Sequence, residues 1–538
     1  MLIQSTAFRS CRAALTVFTA TALSLSAAEN GHGFNVRDYG AAADGITLDH
    51  QAFNKAIEAA TAAGGGMVRV PAGNYLCGSI RLKSRINLHL DPGAIITAAP
   101  NRMNAYDETE EFIPPAYQDG GHTYFRNSLI WGENLDHVSI TGTGMIDGRG
   151  SWNEEEGLIA WNPVLDRMGG CASEGETPPP KLGPDGKPLP NCGLPPVRRG
   201  NKALALKLCK NVLIRDVTIF RAGHFAILAT GCDNMTIDNV SIDTNRDGIN
   251  IDCCRNVTVS NCRINSPYDD AITPKSSYAL GELRLTENLM IVNCMVSGFE
   301  AGTLLDGTMV PGKKNQVGRI KFGTESSGGF RNVTITNCTF RCSMGLALQS
   351  VDGGILENVT ISNISMTDVR DYGIHITTGN RNRTPGVTTP SRMRNVRISN
   401  VVMDGVNKVA GIIITGLPEQ SLENIRLENI RMTTLGRGTV KDAQKIIPEA
   451  GAYPKANWAG DLSAYGIFAR HVKGLELADI HMDFKKPEMR PAARFENIDG
   501  LVIDNFKARV GEGVETAVFA DDVTNVAVSR SPGIRQAQ

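Results

Sequence analysis

One short unit in this chain reads Asn332-Val333-Thr334-Ile335-Thr336-Asn337-Cys338-Thr339-Phe340. Apolar and polar residues alternate in it, as they do on a strand with one buried face, so Val333 and Ile335 are predicted to point inward. Asn337 then makes a bend, because asparagine tolerates the left-handed region of the backbone. Cys338 and Phe340 are predicted to point inward on the strand that follows.

Copies of this unit recur through most of the chain. They begin at Asn211, Asn234, Asn256, Asn288, Asn332, Asn358, Asn395 and Asn424, with weaker copies at Gly474, Gly500 and Asn525. The shortest intervals run from Asn211 to Asn234 and from Asn234 to Asn256, and their length is in the range of one rung of a β-helix. The repeat therefore predicts an all-β solenoid, which grows by adding rungs and needs no division into separate domains.

The beginning of the chain has the pattern of an export signal. Arg9 and Arg12 precede an apolar run from Ala13 to Leu25, which is too short to span a membrane. We predict a signal peptide over residues 1–28 and a periplasmic or extracellular catalytic domain over residues 29–538.

Composition and charge narrow the class of partner. The formal net charge is −1 with both signs mixed, so neither a nucleic acid nor a membrane surface is a predicted partner. The adjacent pair Cys253-Cys254 lacks the spacing of a zinc site, and we predict no metal or other cofactor. Cys171 and Cys192 are the favoured disulfide pair, and the protein is expected to be a monomer.

One amphipathic helix precedes the first rungs. Thr47 is its predicted cap, and Leu48, Phe53 and Ile57 contribute to its apolar face. A helix at this point can cap the open end of a solenoid core.

Long loop insertions interrupt the repeat. They fall near residues 101–127, 150–200, 298–320 and 431–465. Loops of this length commonly wall a binding site, which favours a closed cleft and exo action. In the last insertion, aromatic residues such as Tyr453 either stack on a sugar or pack within the protein.

Three carboxylates follow strand-like units on neighbouring rungs. Asp247 follows Asn234 at the same interval at which Asp269 follows Asn256. Asp247 and Asp269 are therefore predicted to occupy the same place on successive rungs, about 4.8 Å apart, with Asp270 beside them. Turn chemistry alone also places Asp at strand ends, but crowded carboxylates raise one another's pKa and can provide an acid beside a base.

Three motifs stand in order in the centre of the chain. They are Asn245-Arg246-Asp247, then Asp269-Asp270 with Lys275-Ser276, then Gly323-Thr324-Glu325-Ser326-Ser327-Gly328-Gly329 followed by Arg331-Asn332-Val333. Together they resemble glycoside hydrolase family 28, the polygalacturonase family. The resemblance implies a single-stranded, right-handed parallel β-helix that hydrolyses pectic polysaccharide or oligosaccharide with inversion.

The resemblance also implies catalytic roles. Asp269 becomes the general acid that protonates the leaving oxygen, while Asp247 and Asp270 hold and activate water. An inverting enzyme needs about 6.5–9.5 Å between acid and base, and the side chains of Asp269 and Asp270 can diverge from a strand end to provide it.

Further residues are candidates for substrate binding. They are Asn245, His224, Lys275, Arg319, Lys321 and Glu325. His224 either binds a sugar hydroxyl or is a hydrogen-bonded histidine at a strand end. Lys275 either meets a substrate carboxylate or neutralises the acidic cluster.

The chain departs from the family pattern at two motifs. It has Val317-Gly318-Arg319-Ile320-Lys321 where Gly-His-Gly is expected, and Ala347-Leu348-Gln349 where Arg-Ile-Lys is expected. In polygalacturonases Arg-Ile-Lys binds a galacturonate carboxylate, so its loss weakens carboxylate recognition on the leaving-group side. Either Arg319 and Lys321 replace it, or the leaving sugar is neutral, such as rhamnose.

Two other functions stay open on the sequence alone. A polysaccharide lyase has a similar fold and uses calcium, which Asp247, Asp269 and Asp270 can ligate, although no arginine base is identifiable. A non-catalytic glycan-binding β-helix or adhesin is the other alternative, and it gives no reason for three carboxylates in register.

Overall fold

The computed structural model describes residues 33–100, 103–110, 122–148, 200–313, 316–407, 410–455, 458–532 and 534. The fold below is that of the compact unit Phe34–Gln538. The predicted signal peptide, the predicted Cys171–Cys192 pair and nearly all of the 150–200 insertion lie outside the described residues. Among the residues described, no helix is long and apolar enough to cross a membrane.

Strands make up most of the described secondary structure. The helical segments are a 3-10 helix (Val36–Tyr39), α1 (His50–Ala62) and α2 (Val440–Ala443). The strands up to the site are β1 (Phe34–Asn35), β2 (Asp44–Leu48), β3 (Gly66–Val70), β4 (Gly73–Cys77), β5 (Ile80–Arg81), β6 (Ile86–Leu90), β7 (Ala94–Ala98), β8 (Ile130–Glu133), β9 (Asp136–Gly142), β10 (Met145–Asp147), β11 (Lys202–Lys207), β12 (Lys210–Arg215), β13 (Thr218–Phe220), β14 (Phe225–Thr230), β15 (Asp233–Asp238), β16 (Ser241–Asp243), β17 (Asp247–Asp252), β18 (Arg255–Ser260), β19 (Arg263–Asn265) and β20 (Ile272–Lys275). The later strands are β21 (Thr286–Val292), β22 (Met295–Ser297), β23 (Lys321–Phe322), β24 (Phe330–Arg341), β25 (Leu346–Ser350), β26 (Ile355–Thr367), β27 (Ile374–Thr378), β28 (Arg392–Val406), β29 (Ile412–Thr415), β30 (Leu422–Thr434), β31 (Ile467–Phe484), β32 (Ala493–Ala508) and β33 (Val518–Ser529).

The strands stack as parallel rungs. Each repeat unit pairs with the unit before it and the unit after it, so β15 lies between β12 and β18 with Met235 opposite Val212 and Val257. A smaller sheet on another side runs in the order β20-β17-β14-β11-β8-β5. The fold is an all-β, right-handed parallel β-helix, which confirms the predicted class.

Asparagines form two rows along the bends. Asn337 has φ 55° and Asn332 has φ 56°, a region that costs most other residues roughly 1–2 kcal/mol. The Asn337 amide donates to Asn293 Oδ1 at 3.1 Å, and the Asn332 amide donates to Asn288 Oδ1 at 3.1 Å. The predicted bend at Asn337 is confirmed, and each row also links neighbouring rungs.

The core runs through the centre of the rungs. Val333, Ile335 and Phe340 are buried as predicted. Cys338 is buried too, and the register places it next to Cys294 on the preceding rung. None of the described cysteines forms a disulfide, so these thiols pack as small apolar groups.

Helix α1 packs on the first rungs, in agreement with the predicted capping helix. Phe53 and Ile57 are fully buried in the core, and the Phe53 ring meets Tyr75 edge-on at 5.4 Å. The predicted cap is wrong. Thr47 belongs to β2 and its hydroxyl donates to Asp44, while Asp49 is the N-cap residue and uses its side chain to accept from two backbone N–H groups of the preceding turn.

Candidate active site

Asp247 is the first residue of β17, and Asp269 and Asp270 lie in the turn before β20. In this sheet Ile249 lies opposite Ile272, and continuing that register back by two positions places Asp247 opposite Asp270. The predicted equivalence of Asp247 and Asp269 is therefore wrong by one position. The interval from β17 to β20 is one residue longer than the interval from β15 to β18, because the turn before β20 holds an additional residue.

The three aspartates form one cluster, as predicted. One carboxylate oxygen from each of Asp247, Asp269 and Asp270 lies within 4.8 Å of the others. The Asp270 N–H donates to Asp269 Oδ1 at 3.0 Å and to Asp247 Oδ1 at 3.3 Å. The Asp269 side chain is 30% exposed, whereas those of Asp247 and Asp270 are 5% and 4% exposed. Asp269 is thus the carboxylate of the three that is most open to solvent.

Asp269 and Asp247 each lie near a cationic side chain. Arg246 Nη2 lies 2.9 Å from Asp269 Oδ2, and Lys275 Nζ lies 3.6 Å from Asp247 Oδ2. Burial, and then the charge of Asp269, raise the pKa of Asp247 well above its usual value. Crowding of the carboxylates therefore raises a pKa, as predicted, and the group whose pKa it raises is Asp247.

Asp270 is in the opposite electrostatic situation. Burial raises its pKa, but Arg319 Nε at 2.6 Å and Lys321 Nζ at 3.2 Å outweigh burial and hold the pKa below its usual value. Arg319 Nη1 also donates to the Tyr372 hydroxyl at 2.5 Å. Arg319 and Lys321 therefore reach the cluster, where they bind a protein carboxylate.

The charges around the cluster disfavour a bound calcium ion. A calcium ion takes several oxygen ligands that carry uncompensated negative charge. Here three carboxylates face four cationic side chains within 3.6 Å, and these cations repel a divalent ion. The lyase alternative is weakened by this arrangement.

Glu325 and Lys275 form an ion pair next to Asp247. Lys275 Nζ lies 3.2 Å from Glu325 Oε2, and Arg383 Nη2 lies 3.2 Å from Glu325 Oε1. Burial raises the pKa of Glu325, but these cations more than offset it and hold the pKa well below its usual value. Lys275 Nζ also lies 2.9 Å from His122 Nε2. No sequence pattern pointed to His122, because it belongs to an irregular loop outside the repeat.

His224 and Asn245 lie at the edge of the cluster. His224 is 2% exposed and stacks on Phe225, with ring centroids 4.0 Å apart. Burial, and then the charge of Arg246, hold the pKa of His224 well below its usual value. Asn245 is half-buried and precedes β17, so both residues are near the aspartates, and their sugar contacts stay predictions.

Parts of two predicted loop insertions lie beside this sheet. In the 101–127 insertion, Phe125 packs on Phe225 and Leu228. In the 431–465 insertion, the Tyr453 ring lies under the Arg381 guanidinium at 5.2 Å. Burial raises the pKa of Tyr453, but the charges of Lys321 and Arg319 more than offset it and lower that pKa.

The other aromatic residues of the last insertion pack within the protein. Tyr465 is 1% exposed and meets Phe484 edge-on at 5.5 Å. Trp458 packs against a buried cluster that contains Ala347 and Phe468. Of the two uses left open by the sequence, packing is therefore the one found for Trp458 and Tyr465.

The chain matches two protein-family models. One is a right-handed β-helix region over residues 198–384, and the other is described as "Rhamnogalacturonase A/epimerase, pectate lyase-like" over residues 33–164. An exopolygalacturonase of Platanus acerifolia is 24% identical over 433 residues, which cover 76% of this chain and 92% of that protein. An exo-poly-alpha-D-galacturonosidase of Dickeya chrysanthemi is 24% identical over 445 residues, or 74% of this chain and 68% of that protein.

A solved structure supports the same fold. The family 28 exopolygalacturonase of Yersinia enterocolitica superposes with a TM-score of 0.61 at 20% identity, over 93% of this chain and 78% of that chain. The sequence relatives and this architecture confirm the resemblance on which the site residues were chosen. The chain is similar in sequence and in fold to the polygalacturonases of glycoside hydrolase family 28.

Proposed function

We propose that this protein is an exported, monomeric, exo-acting hydrolase of pectic polysaccharide or oligosaccharide. The observation that carries the proposal is the aspartate cluster, with Asp269 open to solvent and Asp247 and Asp270 buried on adjacent rungs. The named activities of the Platanus and Dickeya relatives support the substrate class.

In the proposed reaction Asp269 gives its proton to the leaving glycosidic oxygen. Water attacks the anomeric carbon as the bond to that oxygen breaks, and one proton of the water passes to Asp247. The raised pKa of Asp247 makes its ionised form a stronger base. Asp270 stays anionic because its pKa is lowered, so it accepts a hydrogen bond from the same water throughout.

The stereochemical outcome rests on the family resemblance. The nearest oxygens of the three aspartates lie within 4.8 Å of one another, which is shorter than the roughly 6.5–9.5 Å typical of inverting pairs. This spacing does not support the acid–base separation that the sequence predicted. Inversion is kept as part of the proposal because the motifs that carry the resemblance supply the aspartates of this cluster and the residues that contact them.

Exo action is supported by loops at both sides of the cluster. The segment with Phe125 packs on the sheet before β17, and the segment with Tyr453 lies against Arg381, beside the rungs that follow β20. If these two segments close the cleft on both sides, a polymer can enter only with its end. Cleavage then releases products from that end. A fall in viscosity that outpaces the release of small products would contradict this part of the proposal.

A neutral leaving sugar is a second candidate, favoured by one specific contact set. Arg319 is already held by Asp270 and Tyr372, and Lys321 by Asp270. Neither cation offers the free two-pronged geometry that binds a carboxylate well. The next rung presents Ala347 opposite Lys321, so it adds no charge there.

The test compares product release from polygalacturonan, rhamnogalacturonan and pectic oligosaccharides, with a chelator present. The variant is Asp269→Asn, and the control is Asp404→Asn, an exposed aspartate whose ion pair is with Lys485. Monomer release that falls about 10²–10⁴-fold in Asp269→Asn alone supports the proposal. Binding of these sugars without any turnover would favour the non-catalytic alternative.

A further inference from the structure

His122 is a buried histidine that the proposed reaction does not use. It is fully buried, and its ring meets Phe225 edge-on with centroids 4.9 Å apart. A little further along the chain, the Tyr124 carbonyl accepts a hydrogen bond from Lys202 Nζ at 2.8 Å. These contacts hold an irregular loop segment against the sheet that carries Asp247.

The two ring nitrogens of His122 face side chains of opposite charge. An ammonium group can only donate, so Lys275 Nζ, 2.9 Å away, donates to His122 Nε2. The other ring nitrogen, Nδ1, faces Asp252 Oδ2 at 3.6 Å, which is beyond hydrogen-bond distance. His122 therefore lies in a polar row between Asp252 and Lys275.

Asp252 is an anion at the end of this row that lies away from Asp247. Its oxygens accept from the Ser277 N–H at 2.7 Å and from the Ser277 hydroxyl at 2.5 Å. Burial raises the pKa of Asp252, but His122 and Ser277 more than offset this and hold the pKa below its usual value. Asp252 can thus orient the His122 ring without exchanging protons itself.

Lys275 lies at the other end of the row, beside the carboxylates of the proposed reaction. Its ammonium lies 3.6 Å from Asp247 Oδ2 and 3.2 Å from Glu325 Oε2. A flexible lysine side chain has many rotamers, and the contacts with His122 and Glu325 both hold the Lys275 ammonium near Asp247.

We propose that His122 is a positioning residue, which holds the Lys275 ammonium against Asp247 and so sets the charge at the water-activating carboxylate. The position of Lys275 follows from geometry, whereas its effect on turnover rests on the proposed function. The groups that face Asp247 and enter its pH dependence are Asp269, Lys275, Asp270 and Arg246.

The first experiment measures the position of Lys275 without any substrate. The full-length protein is labelled with acetic anhydride, and lysine acylation is read by peptide mass spectrometry, with the exposed Lys313 as internal reference. In His122→Leu the acylation of Lys275 relative to Lys313 is expected to rise several-fold. His122→Gln, whose amide oxygen can accept in place of Nε2, is expected to restore the wild-type value.

The second experiment measures kcat, KM and their pH profiles on the best pectic substrate. His122→Leu is expected to lower kcat by about 10- to 100-fold, the range for a misplaced catalytic group, with little change in KM. Its acidic limb moves to higher pH, because Asp247 loses a neighbouring cation, and His122→Gln recovers most of both effects.

The matched control is His375→Leu, a buried histidine on β27 that contacts Gln349 and Tyr372. It is expected to leave Lys275 acylation and the acidic limb as in the wild type. Equal Lys275 acylation in His122→Leu and wild type overturns the inference, as does an unchanged pH profile. A wild type that releases no sugar overturns the proposed function instead, and the acylation result then still decides the role of His122.

Discussion

Arg246 Nη2 lies 2.9 Å from Asp269 Oδ2, so the carboxylate proposed as general acid is anchored by the residue that precedes Asp247. Arg246→Met removes this anchor and is expected to lower kcat by about 10- to 100-fold through loss of orientation. Arg246→Lys should lose less, because it keeps the charge without the planar fork. Steady-state kinetics check this, with the exposed Arg397→Met as control. A kcat for Arg246→Met within about two-fold of wild type would show that Asp269 needs no such support.

Asp247 and Asp270 are expected to affect stability in opposite directions. The folded-state pKa of Asp247 is raised, so its stabilising neutral form is fully present below the unfolded pKa and is lost as the pH rises through the folded pKa. Asp247→Asn stays neutral. At pH 7 it should therefore raise Tm, by about 2 °C, while it abolishes turnover, and the difference from wild type should shrink as the pH is lowered.

For Asp270 the sign reverses. Its folded-state pKa is lowered, so its stabilising charge is present above the unfolded pKa and is lost as the pH falls through the folded pKa. Asp270→Asn leaves Arg319 and Lys321 without their anion and should cost about 3–5 kcal/mol at neutral pH. Thermal unfolding of both variants across the acidic range is the measurement, and a parallel response of the two would contradict these assignments.

The anomer of the first product tests the arrangement of the aspartates. Inversion predicts that ¹H NMR at early times shows the anomer opposite to that of the cleaved linkage, because water attacks from the far side. Because the nearest oxygens of the three aspartates are closer than is typical of inverting enzymes, this measurement decides between inversion and retention. Initial release of the same anomer would assign one aspartate as a nucleophile.

Divalent cations are expected to have no effect on this enzyme. Four side-chain cations already compensate the three aspartates, so millimolar calcium should leave both Tm and turnover unchanged, and a chelator should do the same. A rise in Tm with calcium that disappears in Asp247→Asn would reopen the lyase alternative.

The asparagine rows should stabilise the fold in a way that depends on backbone conformation. Asn332→Ala loses the amide contacts to two neighbouring rungs and puts a residue that tolerates the left-handed region poorly at φ 56°, at a cost of about 2 kcal/mol. Asn332→Gly relieves the backbone and should cost only about 1 kcal/mol. Urea unfolding measures both, with the exposed Thr334→Ala as control. Equal costs for the alanine and glycine variants would argue against the conformational part.

The repeat made the fold predictable from the sequence. In each copy, the alternation of apolar and polar residues predicts which side chains point inward and which point outward, and Asn337 predicts the bend. The local pattern and the stacking of the rungs therefore agree. The aspartate cluster was predictable for the same reason, since rungs stack at a fixed spacing. Its register was not, because one additional residue in the turn before β20 moves the alignment without changing the pattern.

The loops limited what could be predicted around the site. His122 and Tyr453 belong to insertions, whose paths depend on packing against distant rungs rather than on local periodicity. The sequence predicted that the cationic residues Arg319 and Lys321 lie near the site. It did not predict their ion pairs with Asp270, because those depend on how far each side chain reaches. Contacts of this kind are set by tertiary structure alone.

The unbridged thiols in the core have a consequence for how the protein can be made. The described cysteines, Cys294 and Cys338 among them, are buried and unbridged, so the described core needs no disulfide in order to form. Mild oxidants should lower the refolding yield, since a sulfenic acid or a mixed disulfide on Cys294 or Cys338 does not fit a closely packed core.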